Sequence, residues 1–258
     1  NPVLTLADAL TIATANNLRK FEIGNGSTIT LASTTSNKVF NGHEWQLALG
    51  TRDISSSMFI DATVNGVGTG TDAEFETCEL ETVTIGPAFF QECSFAGTFT
   101  FGATGDYFFY NCHSAVAGTS TPVFDLGAFG ATNASFRRWS GGMTINNIAS
   151  GDVISIDVVS GGTITLNGAD GNVQIRGMVS SVVDNRTGTP TLGQLAALNR
   201  TVLATPTNIT AATGLDITKI LGTAISTPAT AGILDVNVKK MNNTTVLGTG
   251  AAGDLWRG

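Results

Sequence analysis

Charge is what this sequence has least of. Only 13% of its 258 residues are Asp, Glu, Lys or Arg, against roughly 25% in an ordinary soluble domain. Basic residues number 13 and the net charge is −7, which argues against nucleic acid as a partner, because phosphate binding needs clustered Lys and Arg. The sole adjacent basic pairs are Arg19–Lys20, Arg137–Arg138 and Lys239–Lys240. No apolar run reaches the ~18 residues of a membrane-spanning helix. Cysteines are just three, Cys78, Cys93 and Cys112; their number leaves an odd thiol under any pairing, and their spacing matches no zinc motif. They read as buried, space-filling thiols. No signal peptide opens the chain, and Asn1 and the ending Gly253–Gly258 read as the limits of a fragment or trimmed chain.

What fills the space is Gly, with 31 residues, and a 42% hydrophobic fraction, with Thr, Ser and Asn at most polar positions. That composition suits flat β-surfaces, where β-branched side chains pack well and long charged ones are not needed.

The aromatics are ordered. Phe59-Ile-Asp-Ala62, Phe75-Glu-Thr-Cys78, Phe90-Gln-Glu-Cys93, Phe109-Tyr-Asn-Cys112 and Phe136-Arg-Arg-Trp139 share a Phe, two variable residues and a mostly small apolar residue. The Phe positions stand 16, 15, 19 and 27 residues apart, close to the ~20 residues of one solenoid coil; the last spacing requires an insertion around residues 115–132. Stacked in register, these positions predict internal ladders with rungs about 4.8 Å apart. Farther on, Asp152–Val159, Gly162–Asn167 and Asn172–Gly177 alternate Val, Ile and Leu inward with Ser, Thr, Asp and Gln outward, punctuated by Gly161-Gly162 and Gly168–Gly171. The fold class expected is all-β: a parallel β-helix solenoid, right-handed by the usual strand twist.

Three regions follow. Residues 1–33 form an N-terminal cap: a helix over Leu4–Asn17 with Thr5 as its cap and Asp8 as acidic partner, then short strands at Phe21–Ile23 and Thr28–Leu31. Residues 34–184 form the β-helix. Residues 185–258, whose one aromatic is Trp256, form an extended assembly or linker segment with a short helix near 191–204, too poor in core to fold alone.

For chemistry, two carboxylates at a set separation would serve glycoside hydrolysis, and Glu74, Glu76, Glu79, Glu81 and Glu92 supply candidates. Alternation places Glu76 outward between inward Phe75 and Thr77, with Glu92 near it on the same face; a solvated acidic face is the plainer alternative. His113 beside Cys112 points to the opposite strand face, which disfavours a Cys–His nucleophile pair. His43 has no second His near it for a metal. Gly66-Val-Gly-Thr-Gly70 lacks the Lys and helix of a phosphate cradle and reads as a loop between coils. Arg137-Arg138 beside Trp139 is either a grip for an acidic sugar or partner chain, or a surface pair beside a core Trp. Sequons at Asn133 and Asn185 are expected by chance in so Asn- and Thr-rich a chain. No catalytic, metal or cofactor residues are assigned.

The opening Asn1-Pro-Val with Leu6–Ala13 and the Phe21/Ile23 strand resembles the start of many phage virion proteins. The segments Ser114–Leu126, Phe136–Gly142, Leu215–Ala224 and Ala231–Val238 are similar to stretches of the same group. That resemblance implies a tail fibre, tailspike or related virion appendage: a homotrimer with other virion proteins as partners, made in a host cytoplasm and carried on the particle. It also implies contact with cell-surface glycans, either as a structural attachment subunit or as a polysaccharide depolymerase.

Overall fold

The computed structural model describes residues 5–115, 121–127 and 129–187, and the backbone of eight residues beyond them in two hairpins. Strand makes up 57% of the described residues, and their parallel sheet winds into a β-solenoid of about 8 turns. Among the described residues, nineteen strands run between Lys20 and Asp184. Each pairs in parallel with strands one coil before or after it, and none of the nineteen forms an antiparallel hairpin.

The single helix among the described residues, Leu6–Ala15, starts where its sequence provides a cap: Thr5 Oγ1 accepts from the Asp8 amide at 3.2 Å and donates to the Asp8 carboxylate at 2.7 Å. Ala13 is buried, and Leu6 packs on the core beside Phe21, Ile23 and Ile29. The helix thus covers apolar surface at the open solenoid end, where core and strand edge are otherwise bare. Ile12, on the same helix, is 47% exposed. Among the described residues no helix is long and apolar enough to cross a membrane.

The aromatic ladder exists and is longer than its sequence pattern. Register carries it through Phe21, Phe40, Phe59, Phe75, Phe90, Phe109 and Phe136, then through Ile156 and Ile175. The seven rings lie nearly parallel, with successive centroids 5.0, 5.2, 5.3, 5.1, 4.9 and 4.4 Å apart. Each ring gains burial plus about 0.5–1.5 kcal/mol per aromatic contact. Facing them inside the coil, Phe95, Phe99 and Phe124 pack edge-on or tilted against the stack. The longest step, Phe109 to Phe136, keeps the strand Val123–Asp125 in register with Thr98–Thr100 of the coil before and Thr144–Asn146 of the coil after; residues 116–120 of that step lie outside the described part.

Phe and the small residue three places on both point inward, which strict alternation forbids. The chain resolves this with one extra residue in the left-handed region, a bulge that restores the inward phase. Glu44, Asp61, Thr77, Glu92, Asn111 and Arg138 occupy it, with φ of 50, 56, 53, 56, 55 and 58°. Their amides stay paired: those of Thr77, Glu92 and Asn111 donate to the carbonyls of Gln91, Tyr110 and Arg137 one coil on, each at 2.9 Å. Directly after the bulge comes the inward column Trp45, Ala62, Cys78, Cys93, Cys112 and Trp139, all at most 3% exposed. The three cysteines are free, and burial pushes the Cys93 thiol well above its ordinary pKa.

The last coils lack the bulge. Opposite Phe136 and Trp139 stand Ile156 and Val158, only two residues apart, so Val153–Ser160 is a plain alternating strand. Asp152, expected outward, is 1% exposed instead. Its carboxylate accepts from the amides of Thr132 at 2.9 Å and Ala149 at 2.8 Å, and so joins two turns that would otherwise bury unpaired donors. A ladder of amide side chains, Asn185 to Asn167 to Asn146 at 2.9 and 2.8 Å, ties these coils together. The Arg186 guanidinium pairs with Asp184 at 2.7 Å and bonds the Gly171 carbonyl at 2.9 Å.

By its contacts the chain divides into Asn1–Leu203 and Ala204–Gly258. The second unit shows two short antiparallel pairs, Lys219–Ile220 with Thr223–Ala224 and Lys240–Met241 with Thr244–Thr245. The helix expected at 191–204 lies outside the described residues, as does most of the segment 185–258 expected to be extended.

Candidate functional site

Stacking turns any repeated outward position into a column, and two columns matter here. The first is the bulge itself. Because successive left-handed residues project at the same point of each coil, Glu44, Asp61, Thr77 and Glu92 line one side of a groove of about 360 Å³. Gln46, Thr63, Glu79, Ser94 and His113, two residues beyond each bulge, line the other. His43 at its rim meets Asp61 through Nδ1 at 2.6 Å. That hydrogen bond, then the charges of Asp61 and Glu44, hold the His43 pKa above its ordinary value.

The candidate carboxylates separate accordingly. Glu79 and Glu92 share this groove. Glu76 does not: it lies on the outer sheet face in register with Ile60 and Gln91. The expected Glu76–Glu92 neighbourhood is therefore corrected, because the bulge moves Glu92 off that face. Thr77, expected inward, is exposed for the same reason. Glu74 stands on the outer face beside Phe89, and Glu81 is exposed at the end of the coil's next side. Among the described residues no group of three or more His, Cys, Asp or Glu is arranged to hold a metal ion.

Other expectations resolve as geometry. Cys112 is buried while His113 turns toward the groove, so the two do face apart. Gly66–Thr69 is strand and not loop, paired with Val83–Ile85. A Cβ on Gly68 would stand 2.8 Å from Ile54 Cδ1, so the missing side chain leaves room for Ile54 and Leu49. Arg137 and Arg138 are both exposed but diverge, Arg137 onto the outer face and Arg138 into the bulge column, while Trp139 is fully buried.

The second column pair was not anticipated. On the outer face of the strands that carry the Phe ladder, Phe89, Phe108 and Tyr110 are 37, 43 and 41% exposed. Phe89 and Phe108 are register partners, and shallow depressions of about 500 and 310 Å³ flank them. The first is rimmed by Asp72, Glu74 and Asp106, the second by Gln91, Ser135 and Arg137. The doublets Phe89-Phe90 and Phe108-Phe109 held the signal: neighbours on a strand point to opposite faces, so one ring of each must be outward.

Comparison with protein-family models, with curated proteins and with solved structures finds no match.

Proposed function

We propose that the chain is a structural subunit of a phage-type virion appendage, a rigid rod that carries or contributes to host-surface attachment. The observation that carries this reading is the continuous ladder of nine in-register rungs, from Phe21 to Ile175. A stack that couples every coil to the next resists bending and gives a defined length, which is what a spacer needs. The residue patterns similar to phage virion proteins support the same reading, and assembly from copies of itself belongs to it; the resemblance implies three copies. The test is localisation: an antibody against the chain should decorate an appendage of the particle and block adsorption to the host. Particles without the antigen would overturn the reading.

A second reading, polysaccharide depolymerase, has one observation in its favour: Glu79 and Glu92 line a common groove with Asp61 and Glu44. Incubation with host capsule or lipopolysaccharide separates the two. The rod releases no product; product release that disappears in Glu92→Gln or Glu79→Gln would establish the enzyme.

A further inference from the structure

The outer aromatic face has an order along the rod that no single chain uses. Down one outward column the residues are Glu76, Gln91, Tyr110 and Arg137; down the column beside it they are Glu74, Phe89, Phe108 and Ser135. Within these four rungs acid stands on one side, base on the other and aromatic surface between; the first column runs on through Ile60 and Asn41 past Glu76, and through Asp157 and Arg176 past Arg137. Among the described residues, neither Glu76 nor Arg137 forms a salt bridge. Apolar surface in the middle of a polar rim is the anatomy of an interface.

We propose that this face pairs with the same face of a second copy, the two rods antiparallel, about a twofold axis lying between the Phe89 and Phe108 rungs. Such an axis, in the plane of the interface and perpendicular to the rods, reverses the order of rungs and keeps each column opposite itself. Phe89 then meets the second copy's Phe108, Gln91 meets its Tyr110, and Glu76 meets its Arg137. Every contact occurs twice, as a twofold interface requires. No other simple arrangement of this face does as well: parallel rods would set Glu76 against Glu76 and Arg137 against Arg137, and like charges brought together oppose association. The Phe-ladder strands present nine rungs at about 4.8 Å, a strip roughly 40 Å long and about four residues wide. That is toward the small end of specific interfaces, and the charge pairs, one rung to either side of the two aromatic rungs, decide orientation. This goes beyond the rod reading and departs from its threefold assembly.

Sedimentation velocity on the full chain, with charge-swap variants, tests it. The wild type is expected to be a dimer. Glu76→Arg and Arg137→Glu each should weaken it by about tenfold or more, since each places two like-charged pairs beside the aromatic rungs. The double variant E76R/R137E should regain wild-type association, because both pairs are restored with reversed sign. Orientation is read with a short bismaleimide: Glu76→Cys mixed with Arg137→Cys should cross-link, and Glu76→Cys alone should not. A wild-type monomer or trimer, single variants as tight as wild type, a double variant that stays monomeric, or cross-linking of Glu76→Cys to itself would each overturn the proposal. So would a monomer whose Phe89 and Phe108 signals shift on adding an oligosaccharide, which would give the face to a sugar.

Discussion

The coils of the ladder's Phe half and those of its Ile half solve the same problem differently. From Phe59 to Phe136 the inward residues are three apart, and a left-handed residue takes up the odd step. At Ile156 they are two apart and the strand runs straight. Large flat rings stack face to face over the centre of the coil, and the bulge that follows re-aims the chain so that a smaller residue still reaches inward. Branched Ile and Val fill a narrower section by plain alternation. The bulge also creates the groove in which Glu79 and Glu92 meet, so the polar site is a by-product of how the aromatic core is packed.

Substitutions can break this contrast in order of size. Phe109→Ala removes a ring stacked on Phe90 and Phe136 and edge-packed against four more; it should cost about 3–5 kcal/mol in denaturant unfolding. Ile175→Val, on the last rung, should cost only about 0.5–1.5 kcal/mol. Equal losses would mean that the two halves are not packed differently. Asp152→Ala should cost about 1–3 kcal/mol, because it leaves the Thr132 and Ala149 amides without their acceptor. Thr77→Gly should stabilise by up to about 1 kcal/mol, since a β-branched residue is held at φ 53° there. The same change at Asp157, where the strand is straight, should destabilise.

The smallest effects are in pH. Asp184 has its pKa lowered, first by the Arg186 side chain. A lowered folded pKa contributes stability that is present above the ordinary carboxylate range and lost as pH falls through the lowered value. Asp184→Asn should therefore lower stability at neutral pH, flatten the acid limb of the stability curve and leave strongly acid pH little changed. For His43 the sign is opposite: its contribution is present at low pH and lost as pH rises through the raised value. His43 titrating above its ordinary pKa in NMR, and returning to it in Asp61→Asn, checks that pair.

The sequence made the solenoid legible through Phe-x-x-small, and the straight strands through alternation. It hid the rest for physical reasons. Phe40 was missed because five residues, not three, separate it from Trp45; Ile156 and Ile175 were missed because a rung can change side-chain class without changing place. The bulge was hidden because Thr77, Glu92 and Arg138 are not residues that advertise a left-handed backbone, although Asp61 and Asn111 are. Once Glu92 is placed in the bulge, its separation from Glu76 follows, and so does the groove it shares with Glu79. The order of charges down the outer face needed the register itself, since Glu76 and Arg137 are sixty-one residues apart in sequence.

Residue-by-residue hydrogen exchange under native conditions tests most directly whether bulged and straight coils form one continuous ladder. The amides of Thr77, Glu92 and Asn111, on exposed residues but bonded to the next coil, should exchange as slowly as those of Ile154 and Ile156. Fast exchange at these three, with slow exchange in the straight strands, would contradict a continuous ladder and leave the bulges as breaks in the rod.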